Sequence, residues 1–149
     1  MESLFTPEGN QHIIDRINKL QPTTLSQWGK MTVDQMMSHC IAPLDVVYGD
    51  LHLKMNPLMA LLGRYVIKGK LLKAERYQKD SPTAPAFIRT GSYDFEATKN
   101  ELIEKVKKFR EGPQVIKTHK HPFFGPLTHK EWDNMQWKHL DHHLRQFGV

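Results

Sequence analysis

His139 and His143 stand four residues apart near the end of the chain, in the run Lys138-His-Leu-Asp-His-His-Leu-Arg-Gln-Phe147. On a helix that spacing projects both imidazoles from one side, a turn apart, where two ring nitrogens reach one cation without bending the backbone. At about 100° per residue, Trp132, Gln136, His139, His143 and Phe147 fall within one narrow arc, flanked by Met135 and Leu140. The arc is apolar enough to face a protein interior. A single interior histidine needs only one hydrogen-bond partner, whereas two side by side need partners that a shared metal ion supplies. His142 lies at the edge of the arc, three residues from His139, and is the alternative to His143 as a ligand.

The helix beneath these residues has a local origin. Thr128-His-Lys-Glu131 is a capping box, in which the Thr hydroxyl and the Glu carboxylate satisfy amides at the helix start. A second capping box, Thr32-Val-Asp-Gln35, opens a helix with Val33, Met36, Met37, Cys40, Leu44 and Val47 at helical spacing. His39 on that helix is a candidate third ligand. Periodicity places it about 100° from the centre of the apolar stripe, on a flank, so spacing alone leaves its direction open. Pro43 removes the amide that the His39 carbonyl would bond, and a local kink beside His39 is expected.

The remaining elements follow from the same signals. Gln11–Leu20 carries Ile13, Ile14, Ile17 and Leu20, a helical stripe that closes before Pro22. Asn56-Pro57 is a cap with an N1 proline and starts a short helix through Leu72. Asp94–Glu111 is a charged amphipathic helix with Phe95, Leu102, Val106 and Phe109 inward, stopped by Gly112-Pro113. Residues 21–31, 81–85 and 114–127 read as irregular connectors, the last of them long enough for a lid beside the histidine helix. Strand-like alternation is confined to pieces such as Phe87–Thr90. The expected architecture is all-α: one domain over residues 1–149, a four-helix bundle with a short additional helix and long connectors.

The chain has 149 residues, 39% of them hydrophobic and 25% charged, ordinary values for a globular protein. One cysteine, Cys40, excludes an intrachain disulfide, and the start Met1-Glu-Ser-Leu-Phe lacks the pattern of a secretory signal. A cytoplasmic location is expected. The longest apolar stretch is too short to span a bilayer, and no membrane partner is expected. A net charge of +5 invites a nucleic-acid reading, but no nucleic-acid-binding motif accompanies it. Arg64, Lys68 and Lys70 are candidates for holding an anionic group of a substrate. Cys40 lies on an apolar stripe and reads as a buried structural thiol. His119 and His121 read as surface residues, and Trp28, Trp132 and Trp137 as packing groups.

Two segments together resemble a known family. Trp28-Gly-Lys-Met31 followed by Asp34-Gln-Met-Met-Ser-His39 is similar to the first metal-ligand segment of the DinB/YfiT-like superfamily of metalloenzymes. His139-Leu-Asp-His-His143-Leu-Arg-Gln146 is similar to its closing segment, and His121-Pro-Phe-Phe-Gly125 resembles one branch of it. The resemblance implies a four-helix bundle and three histidine ligands, here His39, His139 and His143. It also implies a divalent ion, nickel or zinc, and a homodimer.

Three imidazoles leave a coordination position open for water or substrate. Asp141 points away from the histidine arc, and no HExxH glutamate stands beside the ligands. That composition suits a metal that activates a small thiol, since a bound thiolate needs no protein base. Thiol transfer and metal-dependent hydrolysis on a small-molecule substrate are both implied by the resemblance, with catalytic residues unassigned. The other reading is a non-catalytic bundle that binds a metal or small molecule. Gln146, one turn beyond His143, is a candidate for a hydrogen bond that orients a ligand.

Overall fold

The computed structural model describes residues 2–149. The protein is all-α, apart from two strands of two residues each. Helix α1 spans Pro7–Lys19, four residues longer at its start than the apolar stripe suggested. Its beginning is set by Thr6, whose hydroxyl accepts from the Gly9 amide at 3.2 Å, and by Pro7 at the first helical position. Helix α2 spans Val33–Tyr48, with the Gln35 side chain accepting from the Thr32 amide at 3.1 Å. It runs through Pro43 and ends at Gly49, which takes the left-handed conformation (φ 77°) that terminates helices.

A second helical stretch follows, made of α3 (Pro57–Leu62), a π turn over Gly63–Ile67 and α4 (Lys68–Lys73). Helix α5 spans Phe95–Lys108, capped by Asp94, whose carboxylate accepts from the Ala97 amide at 2.7 Å. Phe87–Thr90 forms no strand. Pro85–Phe87 is instead a single 3-10 turn, for which the proline supplies the starting φ.

The connector at 114–127 is not wholly irregular. It contains a small antiparallel ribbon, β1 (Lys120–His121) paired with β2 (Gly125–Pro126). His121 organises its turn: Nδ1 accepts from the amides of Phe123 and Phe124 at 3.0 and 3.2 Å. Its ring packs on Phe124 and on the buried Trp132, so this histidine is structural and not a surface residue. With Phe124 in the core, the segment is docked at the start of α6 and is not a lid over the C-terminal histidines. His119 is exposed, as expected.

Helix α6 spans His129–Gln146 behind the Thr128–Glu131 capping box. Helices α1 and α2 each pack against both α5 and α6, while α4 packs against α6. The core between them holds Ile13 and Ile17 of α1, Met36, Met37 and Leu44 of α2, Leu102 and Val106 of α5, and Trp132, Leu140 and Leu144 of α6. Two polar side chains tie this core together. Asn10 donates through Nδ2 to the carbonyls of Leu4 and Val106 at 2.8 and 2.7 Å, joining the N-terminal segment, α1 and α5. Asp133 accepts from the Leu4 amide at 2.7 Å and so anchors that segment to α6.

Candidate metal centre

The pairing of α2 with α6 brings together residues a hundred positions apart. His39 of α2 is buried, and its Nε2 lies 3.0 Å from Nε2 of His139 on α6. His143 completes a triangle. Its ring centroid is 4.6 Å from those of both His39 and His139, which are themselves 5.0 Å apart. One candidate ligand atom from each of the three falls within 4.8 Å of the others. Two ligands about 2.1 Å from a shared ion stand about 3.0 Å apart at a right angle and about 3.4 Å apart in a tetrahedron. The His39–His139 separation is within that scale.

Two of the three rings are held from behind. His39 Nδ1 lies 2.8 Å from the Phe87 carbonyl oxygen, which accepts only, so Nδ1 carries the proton and Nε2 keeps its lone pair. For His143 the argument has one more step. The Gln146 amide nitrogen donates to the Trp28 carbonyl at 2.8 Å, which turns Gln146 Oε1 toward His143 Nδ1, also at 2.8 Å. His143 Nδ1 therefore donates, and its Nε2 is the lone-pair nitrogen. A carbonyl behind each ligating imidazole is the arrangement that fixes the tautomer in histidine metal sites.

His139 tests the fit of a cation. Its Nδ1 is buried without a hydrogen-bond partner among the described residues. If its proton sits on Nε2, that group donates to His39 and a bare Nδ1 is buried. If the proton sits on Nδ1, two lone pairs face each other at 3.0 Å. A cation among the three nitrogens removes the lone-pair repulsion of the second arrangement, and the neutral imidazole donor set suits a borderline transition ion.

The electrostatics favour the neutral, ligating form. Burial pushes the pKa of His39, His139 and His143 below the ordinary histidine value, and His39 and His142 further oppose a proton on His139 and His143. For His143 the value falls to about 3, although its bond to Gln146 works in the opposite direction. Nearby Arg89 adds to the depression at His39, against the pull of the Phe87 carbonyl. All three are therefore neutral at pH 7.

His142 takes no part in the triangle with His39. Its ring lies between Trp28 and Tyr77, at centroid distances of 5.9 and 6.2 Å. Of the two candidates on α6, it is His143 that meets His39. Asp141 is directed elsewhere, accepting from Arg16 at 2.9 Å and from Arg145 at 2.9 Å. The Cys40 thiol is buried beside Met36, and burial raises its pKa far above the usual range, so it is neither nucleophile nor ligand. Of the cations Arg64, Lys68 and Lys70, Lys68 is taken by Glu131 at 3.4 Å and by the Pro126 carbonyl at 2.7 Å.

Two partners of the site, both backbone carbonyls, are not specified by residue type. Phe87 and Trp28 contribute backbone carbonyls, which every residue carries, so only the path of the chain selects them. Gly29 is specified by type. Its φ of 78° disfavours a side chain, and a Cβ there would stand 2.5 Å from Gln146 Nε2. The Trp-Gly pair thus marks where the loop must pass close to Gln146.

Residues 2–148 match the model of a family described as a protein of unknown function (DUF1569). No curated protein and no solved structure matches the chain.

Proposed function

The chain belongs to the DUF1569 family, whose description names no activity, and from its own residues we propose a metal-dependent enzyme of the DinB/YfiT-like type. In this reading α1, α2, α5 and α6 form a four-helix bundle, and His39, His139 and His143 hold one divalent ion, nickel or zinc. The observation that carries it is the convergence of three neutral histidines, two of them oriented by carbonyl oxygens behind Nδ1. Buried imidazoles with this backing are costly to assemble without a common partner.

A divalent ion at such a site would lower the pKa of a water or thiol and polarise a substrate carbonyl. The protein's own contribution is to keep three imidazoles deprotonated, to fix their rings, and to leave the remaining coordination positions to small molecules. Asp141 is bound to Arg16 and Arg145 and so gives the site no carboxylate base. That favours a co-substrate that becomes its own nucleophile on deprotonation, a low-molecular-weight thiol, over a water that needs a base. The reaction class is thiol transfer first and hydrolysis second. A cytoplasmic homodimer acting on small molecules, not nucleic acid, completes the proposal.

The missing carboxylate also favours a second reading, a non-catalytic bundle that binds a metal or small molecule. Elemental analysis of protein purified without a histidine tag tests the metal premise: near-stoichiometric metal in the wild type and none in His143→Ala. Equal trace metal in both would end the metal-dependent enzyme and leave only a bundle that binds a small molecule. Turnover in a screen of thiol conjugations and ester hydrolyses, lost in His139→Ala, separates the enzyme from the binding protein.

A further inference from the structure

The α3–α4 stretch exposes its apolar side chains. Leu58, Met59, Leu61, Leu62, Tyr65 and Val66 are all exposed, with Leu58 and Tyr65 at 73% and 69%. Gly63 explains their direction. It is buried with its Cα against the Phe123 carbonyl and ring, where a side chain would collide, so this is the face that the helix turns inward. On the other side the leucines stay exposed among the described residues, and Tyr65, also exposed, meets the Arg64 guanidinium 5.3 Å from its ring centroid. Two turns of exposed Leu, Met and Tyr on one helix are more than the scattered apolar exposure of an ordinary surface.

The charge carried by this segment has one sign. From Leu51 to Ala74 there is no Asp or Glu, while Lys54, Arg64, Lys68, Lys70 and Lys73 all fall in that span. Only Lys68 among them has a carboxylate partner among the described residues, Glu131 of α6. A second copy of the chain, packed patch to patch, would set these cations against their own counterparts. An occupant that offers an apolar layer beneath an anionic one suits the patch better, and it need not match the shape of one protruding helix face.

We infer that this helix face docks on an anionic phospholipid surface, with Leu58, Leu61, Leu62 and Tyr65 entering the headgroup boundary and Arg64, Lys70 and Lys73 meeting phosphates. This is the pattern of helices that lie in a membrane interface without crossing it. No helix of the described residues is long and apolar enough to cross a membrane, and the docking requires none. It departs from the expectation of no membrane partner, which rested on the lack of a spanning segment.

Cosedimentation of the full chain with vesicles tests the inference. The protein binds vesicles of phosphatidylcholine with phosphatidylglycerol, and not phosphatidylcholine alone. Each lysine near the surface contributes about fivefold to partitioning, so Lys70→Glu with Lys73→Glu lowers binding by at least about tenfold. Leu61→Ser with Tyr65→Ser lowers it comparably, while circular dichroism and metal content stay unchanged because these residues are exposed and lie outside the histidine cluster. No binding to anionic vesicles at low salt would overturn the inference, as would undiminished binding by the Leu61/Tyr65 variant. A dimer in analytical ultracentrifugation that this variant abolishes, without vesicle binding in the wild type, would assign the face to a second copy. Polyglutamate binding tighter than vesicle binding would assign it to an acidic protein.

Discussion

Gln146 holds His143 by its Nδ1 at 2.8 Å while its amide is itself held by the Trp28 carbonyl at 2.8 Å. The orientation of a histidine at the end of the chain therefore depends on a loop before the second helix. The side-chain carbonyl that accepts from His143 also increases the basicity of the opposite ring nitrogen.

Replacing Gln146 by Leu removes that acceptor at nearly constant volume. Metal affinity, measured by competition with a chromophoric chelator, should fall about 10- to 100-fold. Gly29→Ala should weaken the same contact indirectly, because its Cβ meets Gln146 Nε2 and its φ of 78° is strained for alanine. A loss of about 1–2 kcal/mol in stability by urea denaturation is expected, with metal affinity reduced in the same direction.

His142 and His143 separate in a paired substitution. His143→Gln should abolish stoichiometric metal binding, because it removes one corner of the triangle with His39 and His139. His142→Gln should retain it, since that ring packs between Trp28 and Tyr77. Metal lost in His142→Gln and kept in His143→Gln would reverse the assignment.

Acid stability should report His121, well removed from the metal ligands in sequence. Burial depresses its pKa from 6.5 to about 4, and its Nδ1 accepts two amide protons that a protonated ring cannot take. Because the folded value lies below the unfolded one, the unfolded chain binds the extra proton first. The contribution is intact above pH 6.5 and is lost as pH falls through about 4, to a total of roughly 3 kcal/mol. In His121→Asn the Oδ1 atom can take the place of Nδ1. The slope of stability against pH between 6.5 and 4 should flatten in urea titrations, despite some loss of packing on Trp132 at neutral pH.

Cys40 should resist modification in the native state. The thiol is buried and its ionisation is suppressed by burial. Iodoacetamide at pH 8 should leave the folded protein unlabelled and label it fully in denaturant, as read by intact mass. Rapid native labelling would contradict the packing of α2.

The parts of this protein that are legible in sequence are those in which cause and effect lie within a few residues. The Thr128–Glu131 box starts α6 where its residue pattern placed it, and the inward arc of that helix carries Trp132, His139 and His143 together. Gln146 was recognisable as a neighbour of His143 because one helical turn joins them. An apolar stripe alone does not mark a helix start: Thr6-Pro7 begins α1 before the first isoleucine. The structural role of His121 is not legible locally, because it depends on amides brought round by the hairpin and on Trp132, eleven residues away.

His39 shows the opposite regime. Its periodicity put it on the flank of α2, and no local rule could turn it toward α6. Its position at 3.0 Å from His139 follows from the packing of α2 on α6 and from the Phe87 carbonyl that grips its far nitrogen. The exposed face of α3 is similar, since an apolar run reads as core until the tertiary structure leaves it uncovered. Local signals suffice for the starts of α2, α3 and α6, for the Asp94 cap of α5 and for the stacked pair His139 and His143, because i to i+4 geometry is set by the backbone alone. The third histidine, the carbonyls behind two of the rings and the uncovered cationic patch were decided by the tertiary structure. Those relations join chain segments separated by tens of residues, and only the close packing of helix against helix gives them a distance.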